Sequence, residues 1–133
     1  MPAEPLDTDA IERIARQADG ASHDCRCAGM TCPGWESVSS SLDESRLRRL
    51  GTVAPVTAGE PTWREHHPHG TRYWSPDAPI ALGYFPYNRC EVWQCVDCGR
   101  AFLRYTEAGG YFTDRRIREL SAALIVRTVP DGE

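Results

Sequence analysis

The chain has 133 residues, 15 basic and 19 acidic, for a net charge of −4. That length sets one domain with a modest core as the default. The acidic balance argues against a general nucleic-acid or membrane-surface binder, which carries a basic excess. Every basic residue is arginine, so Schiff-base catalysis and a Walker A phosphate loop, both of which need lysine, are excluded.

No apolar run approaches the length of a membrane span. Residues 1–9 carry acids and prolines where a signal peptide needs a basic and then an apolar segment. The compartment this predicts is cytoplasmic. There, six cysteines are read as metal ligands or working thiols before disulfides.

Residues 9–12 form a capping box, and Ile11, Ile14, Ala15 and Ala18 make one apolar helical stripe that ends at Gly20. Residues 22–34 hold Cys25, Cys27 and Cys32 in a Gly- and Pro-rich loop. A second short helix is predicted from Ser41, with Glu44 completing a capping box, Leu47 and Leu50 on one face and Gly51 as the stop. From residue 52 to 86, repeated Pro and Gly break any long element. Trp63, Tyr73, Trp74, Ile80, Leu82, Tyr84, Phe85 and Tyr87 nevertheless supply too much apolar surface for a solvated linker. This segment is therefore predicted to be a long ordered loop that packs over the core.

Residues 91–94 and 100–105 read as strands around a cysteine turn, and residues 107–110 as a second turn leading into a strand over 111–117. Residues 124–126 add a short strand. Residues 114–124 fit a helix almost as well as a strand. The predicted fold is a small α+β domain, an antiparallel β meander with a zinc knuckle, two short N-terminal helices and long ordered loops.

In the cysteine turn, Cys95-Val96-Asp97-Cys98-Gly99, two thiolates stand two residues apart with a small residue after the second. This is the geometry of half a tetrahedral zinc site. Cys95, Cys98 and Gly99 resemble the knuckles of zinc-ribbon and zinc-finger proteins, a resemblance confined to residues 90–110. Where a ribbon has a second CxxC, this chain offers Cys25, Cys27 and Cys32 at other spacings. The favoured ligand set is Cys95, Cys98, Cys27 and Cys32, with Cys25, Cys90 and His23 as alternates, and the ion is Zn²⁺.

Competing readings attach to the same residues. Cys90, Cys95 and Cys98 match part of a plant-type two-iron spacing. Cys25, Cys27 and Met30 are soft ligands suited to Cu(I). Cys95 and Cys98 resemble a thioredoxin pair, though they sit in a hairpin and not at a helix N-terminus. His66, His67 and His69 are a candidate second site if the segment is extended, since alternate imidazoles then share a face. Against that, no HExxH, no following carboxylate and no HxE deaminase signature accompanies them.

Residues 100–118 are locally basic, whereas residues 1–60 hold ten acids against six arginines and offer those arginines internal partners. Two function classes follow. In one, a cysteine-ligated structural zinc staples the fold, and Trp63, Tyr73, Trp74, Arg100 and Arg104 form a surface for a protein partner. In the other, the chain is a small metalloenzyme or thiol-redox protein using the histidine loop or an open metal position. A nucleic-acid-binding ribbon is a minor third reading.

Overall fold

The computed structural model describes residues 5–20, 32–38, 42, 44–55, 62–108 and 113–128. The content is mixed α/β, with one helix among the described residues and a mostly antiparallel sheet.

The helix α1 spans Thr8–Asp19, and its N-cap is Asp7, two residues before the predicted cap at Asp9: the Asp7 carboxylate accepts the Ala10 N–H at 2.8 Å. Ile11, Ala15 and Ala18 line its buried face, and Gly20 ends it. Arg127, from the far end of the chain, donates to Asp9 and Glu12 on the first turns.

The main sheet contains β1 (Pro5–Leu6), β2 (Glu36–Ser37), β3 (Leu47–Val53), β5 (Glu91–Cys95), β6 (Ala101–Ala108) and β7 (Thr113–Glu119), in the order β1-β3-β5-β6-β7-β2. The predicted meander is its centre: β5 pairs antiparallel with β6, and β6 with β7. β4 (Ile80–Ala81) and β8 (Ile125–Val126) form a separate two-residue parallel pair.

Two expectations change. The helix predicted from Ser41 is absent among the described residues; a single 3-10 turn at Glu44–Arg46 leads directly into β3. The spacing of Leu47 and Leu50 fits a helix locally, but Leu47 lies opposite Cys95 and Arg49 opposite Trp93, so pairing with β5 overrides local propensity. Glu44 does not act as a capping-box partner; its side chain reaches Arg104 and Arg115. The ambiguous stretch over 114–124 resolves into β7 and then a 3-10 turn at Ala122–Leu124.

Successive strand side chains point to opposite faces, and both faces of this sheet are covered. On one, Val92, Ala101, Leu103 and Tyr105 pack with α1 and with Trp35, Ile80, Leu82 and Tyr87. Trp35 is the centre of this layer, stacked on Tyr73 at 6.0 Å and edge-on to Tyr105 at 5.0 Å. On the other face, Leu47, Cys95, Phe102 and Ile117 pack with Cys32, Val38 and Leu42.

The segment that carries Trp35 is brought in close at Gly34, where a Cβ would stand 2.4 Å from the Trp74 carbonyl oxygen. The long loop packs as predicted through Leu82, Tyr84 and Tyr87, all buried. No helix among the described residues is long and apolar enough to cross a membrane.

Candidate functional site

Three of the cysteines, Cys32, Cys95 and Cys98, border one apolar cluster on the sheet. The β5–β6 turn closes through Gly99 N–H to the Cys95 carbonyl at 3.1 Å, and Gly99 takes a φ of +87° that favours glycine. Within it the Asp97 N–H donates to Cys95 Sγ at 3.3 Å and the Arg100 N–H to Cys98 Sγ at 3.4 Å. Amide hydrogens aimed at sulfur favour its anionic form. The preceding 3-10 turn holds this loop from outside: Val96 N–H donates to the Arg46 carbonyl at 2.9 Å.

Cys32 arrives at the end of β7, where its carbonyl accepts the Glu119 N–H at 2.8 Å. Its side chain is fully buried in the cluster that contains Cys95, with Cys98 packed against it. Burial pushes the Cys32 thiol up to about 12, and the Arg100 guanidinium opposes this. Arg100 is paired with Glu119 at 2.8 Å and lies over the Phe102 ring.

No disulfide joins the four described cysteines. Among the described residues no group of three or more His, Cys, Asp or Glu is arranged to hold a metal ion. Cys25, Cys27 and His23 lie outside the described residues.

Cys90, an alternate ligand by its spacing, belongs elsewhere. Its thiol donates to the Pro86 carbonyl at 3.2 Å in the other apolar cluster, and burial raises its pKa well above the ordinary value. This also removes the two-iron reading, which needs Cys90 beside Cys95 and Cys98.

The histidines are not arranged as an extended HxH pair. The Gly70 N–H bonds the His67 carbonyl, turning the chain at Pro68 and His69. His67 uses both ring nitrogens, Nε2 with Glu65 and Nδ1 with Thr71, each at 2.7 Å. His66 stacks on Tyr84 at 4.7 Å, and His69 is exposed.

Of the five residues predicted to face a partner, Trp63 and Trp74 are 70% and 54% exposed. Each has an arginine over its ring, Arg89 at 3.5 Å and Arg116 at 4.7 Å. Tyr73 is half-buried; its hydroxyl bonds that of Tyr105, which donates to Glu107. Arg100 and Arg104 are a correction. Both are buried: Arg104 on β6 and Arg100 just before it lie on a covered face where Glu44 and Glu119 neutralise them.

That face also carries an arrangement the sequence did not signal. A cleft of about 380 Å³ is bordered by Glu44, Arg89, Glu91, Trp93, Arg104 and Arg115, among others. Arg104 grips Glu44 as a fork, at 2.9 Å to one carboxylate oxygen and 3.1 Å to the other, and Arg115 adds a third bond at 3.0 Å. The Arg104 hydrogen bond foremost holds the Glu44 carboxyl below its ordinary value. Glu91 is engaged by Arg49 at 2.9 Å and by the Trp93 indole N–H at 3.1 Å. Only the pairing of β5, β6 and β7 puts these residues side by side, and Glu44 in sequence reads as a helix cap.

No family model matches the chain, and no curated protein or solved structure is similar to it.

Proposed function

We propose that the protein is a zinc-stapled binding module. In this reading Cys32, Cys95 and Cys98 supply three thiolates, and Cys27 or Cys25 the fourth, to one structural Zn²⁺ in a reducing, cytoplasmic setting. The ion ties the loop before Trp35 to the β5–β6 turn, and the exposed Trp63 and Trp74 meet a protein partner. The observation that carries the reading is the pair of amide-to-sulfur bonds in the β5–β6 turn, with Cys32 in the same apolar cluster. Backbone donors directed at both sulfurs suit thiolates that a cation then neutralises. Exposed tryptophans with stacked arginines are what interface anchors are made from.

The test begins with elemental analysis of the purified protein. One zinc per chain is expected, lost in Cys95→Ser and Cys32→Ser and kept in Cys90→Ser. Zinc retained in Cys95→Ser would sink the ligand assignment. A Trp63→Ala/Trp74→Ala variant should keep its zinc and fail to retain the partner that the wild type captures; equal capture would remove these two residues from the interface.

A further inference from the structure

The cleft beside Glu44 has the chemistry of an anion receptor already holding an anion. Arg104 is only 7% exposed, its guanidinium lies 4.8 Å from the centre of the Trp93 ring, and its fork is aimed at a carboxylate. A guanidinium stacked and hidden in this way is pre-organised for a planar or tetrahedral oxyanion. The carboxylate it holds comes from a three-residue 3-10 turn and is 45% exposed, so Glu44 can rotate into solvent without disturbing a strand.

Charge decides what could replace it. Glu91 is matched by Arg49, and Arg104 and Arg115 both engage the single carboxylate of Glu44. A tethered carboxylate competes at an effective concentration on the order of millimolar or above. A monocarboxylate ligand therefore gains little over the group already in place. A phosphate dianion brings a second charge and three acceptor oxygens to the same donors. Trp93 on the lining offers ring surface to an organic group attached to that phosphate. The volume falls at the small end of the range of about 300–1,000 Å³ typical of ligand sites.

We propose that this cleft binds a small organic phosphate monoester, anchored by Arg104 and Arg115, and that Glu44 is the internal anion the phosphate displaces. The inference goes beyond the zinc module and uses no cysteine.

The experiment is calorimetric titration of the full chain at low salt and pH of about 7.5, where a monoester is predominantly a dianion. The probes are phenyl phosphate, inorganic phosphate and benzoate. Phenyl phosphate is expected to bind more tightly than either of the others. Glu44→Gln should tighten it at least ten-fold by removing the competing charge, and Arg115→Ala should weaken it at least ten-fold. Arg115 is 59% exposed, so its variant does not threaten the fold and decides the matter if Glu44→Gln is poorly folded. Affinity unchanged in Arg115→Ala, or no tighter in a folded Glu44→Gln, would overturn the proposal. Benzoate binding as tightly as phenyl phosphate would overturn the preference for a dianion, and inorganic phosphate doing so would overturn the organic ester.

Discussion

Arg118 is fully buried, and among the described residues no carboxylate neutralises it. Its guanidinium instead gathers oxygens from three places in the chain. Nε donates to the Pro33 carbonyl at 3.2 Å, and Nη2 to the carbonyls of Pro76 at 3.1 Å and Ala78 at 2.8 Å; Nη1 donates to the Tyr87 hydroxyl. The substitution Arg118→Met keeps much of the aliphatic volume and removes every donor. Tyr87 still receives the Trp35 indole N–H at 3.3 Å, so the loss falls on the three carbonyls. An orphaned buried acceptor costs about 1–3 kcal/mol. Three at the low end give about 3 kcal/mol, with the relieved desolvation of the cation acting in the opposite direction.

For a chain of this size that is a fall in Tm of about 10 °C, read by thermal unfolding in circular dichroism. Arg118→Lys should fall between the two, since a single ammonium cannot span acceptors fixed for a planar fork. Arg118→Met unfolding within about 1 kcal/mol of wild type, or above it, would mean that the buried charge costs as much as its bonds return. The account of these loops as fastened by Arg118 would then fail.

Three other outcomes are expected. Gly34→Ala must displace the Trp74 backbone, because the added Cβ meets its carbonyl oxygen at 2.4 Å, and should destabilise by about 1–3 kcal/mol in urea unfolding; a neutral result would show that the two segments are not held together. The Glu44 carboxyl is depressed below 4.5 in the folded state, so its contribution is full above that value and fades as pH falls through the folded pKa. The wild type should therefore lose stability relative to Glu44→Gln between pH 4.5 and lower values, and parallel curves would show Glu44 to be unpaired in solution. Cys90→Ala should leave zinc content unchanged while lowering Tm by several degrees, as a buried thiol is lost from the main core; zinc loss would return Cys90 to the ligand set.

Local pattern made some of this fold readable and hid the rest for identifiable reasons. The hairpins were legible because alternation at Val92, Leu103 and Ile117 and the Cys95–Gly99 turn are local signals. The helix was legible from Ile11, Ala15 and Ala18, although its cap was misplaced by two residues because Asp7 and Asp9 are both good caps. β3 was not legible: Leu47 and Leu50 are three apart, and what makes the segment a strand is β5 across from it, with a register shift between Arg49 and Gly51. Among the cysteines, spacing could not separate Cys90 from Cys95. Only the packing assigns one to the main core and the other to the cluster with Cys32. Arg100 and Arg104 look like surface charges in sequence, and their burial depends on acids at Glu119 and Glu44 that are distant in the chain.

Among the described residues, the two margins of the main sheet are finished in different ways. Along β7, the stretch around β2 continues the hydrogen bonding at Arg115 and again at Glu119, so little of that strand's outer backbone is available. Along β3, the described pairing with β1 covers Thr52 and Val53; further along the strand stand Arg48 and Arg49, both exposed, followed by the irregularity at Leu50. Charged side chains and a break in register make a poor template for edge-to-edge pairing with a second copy of the strand. Replacing both arginines with valine should make that margin an aggregation-prone seam, with loss of the Arg49–Glu91 ion pair.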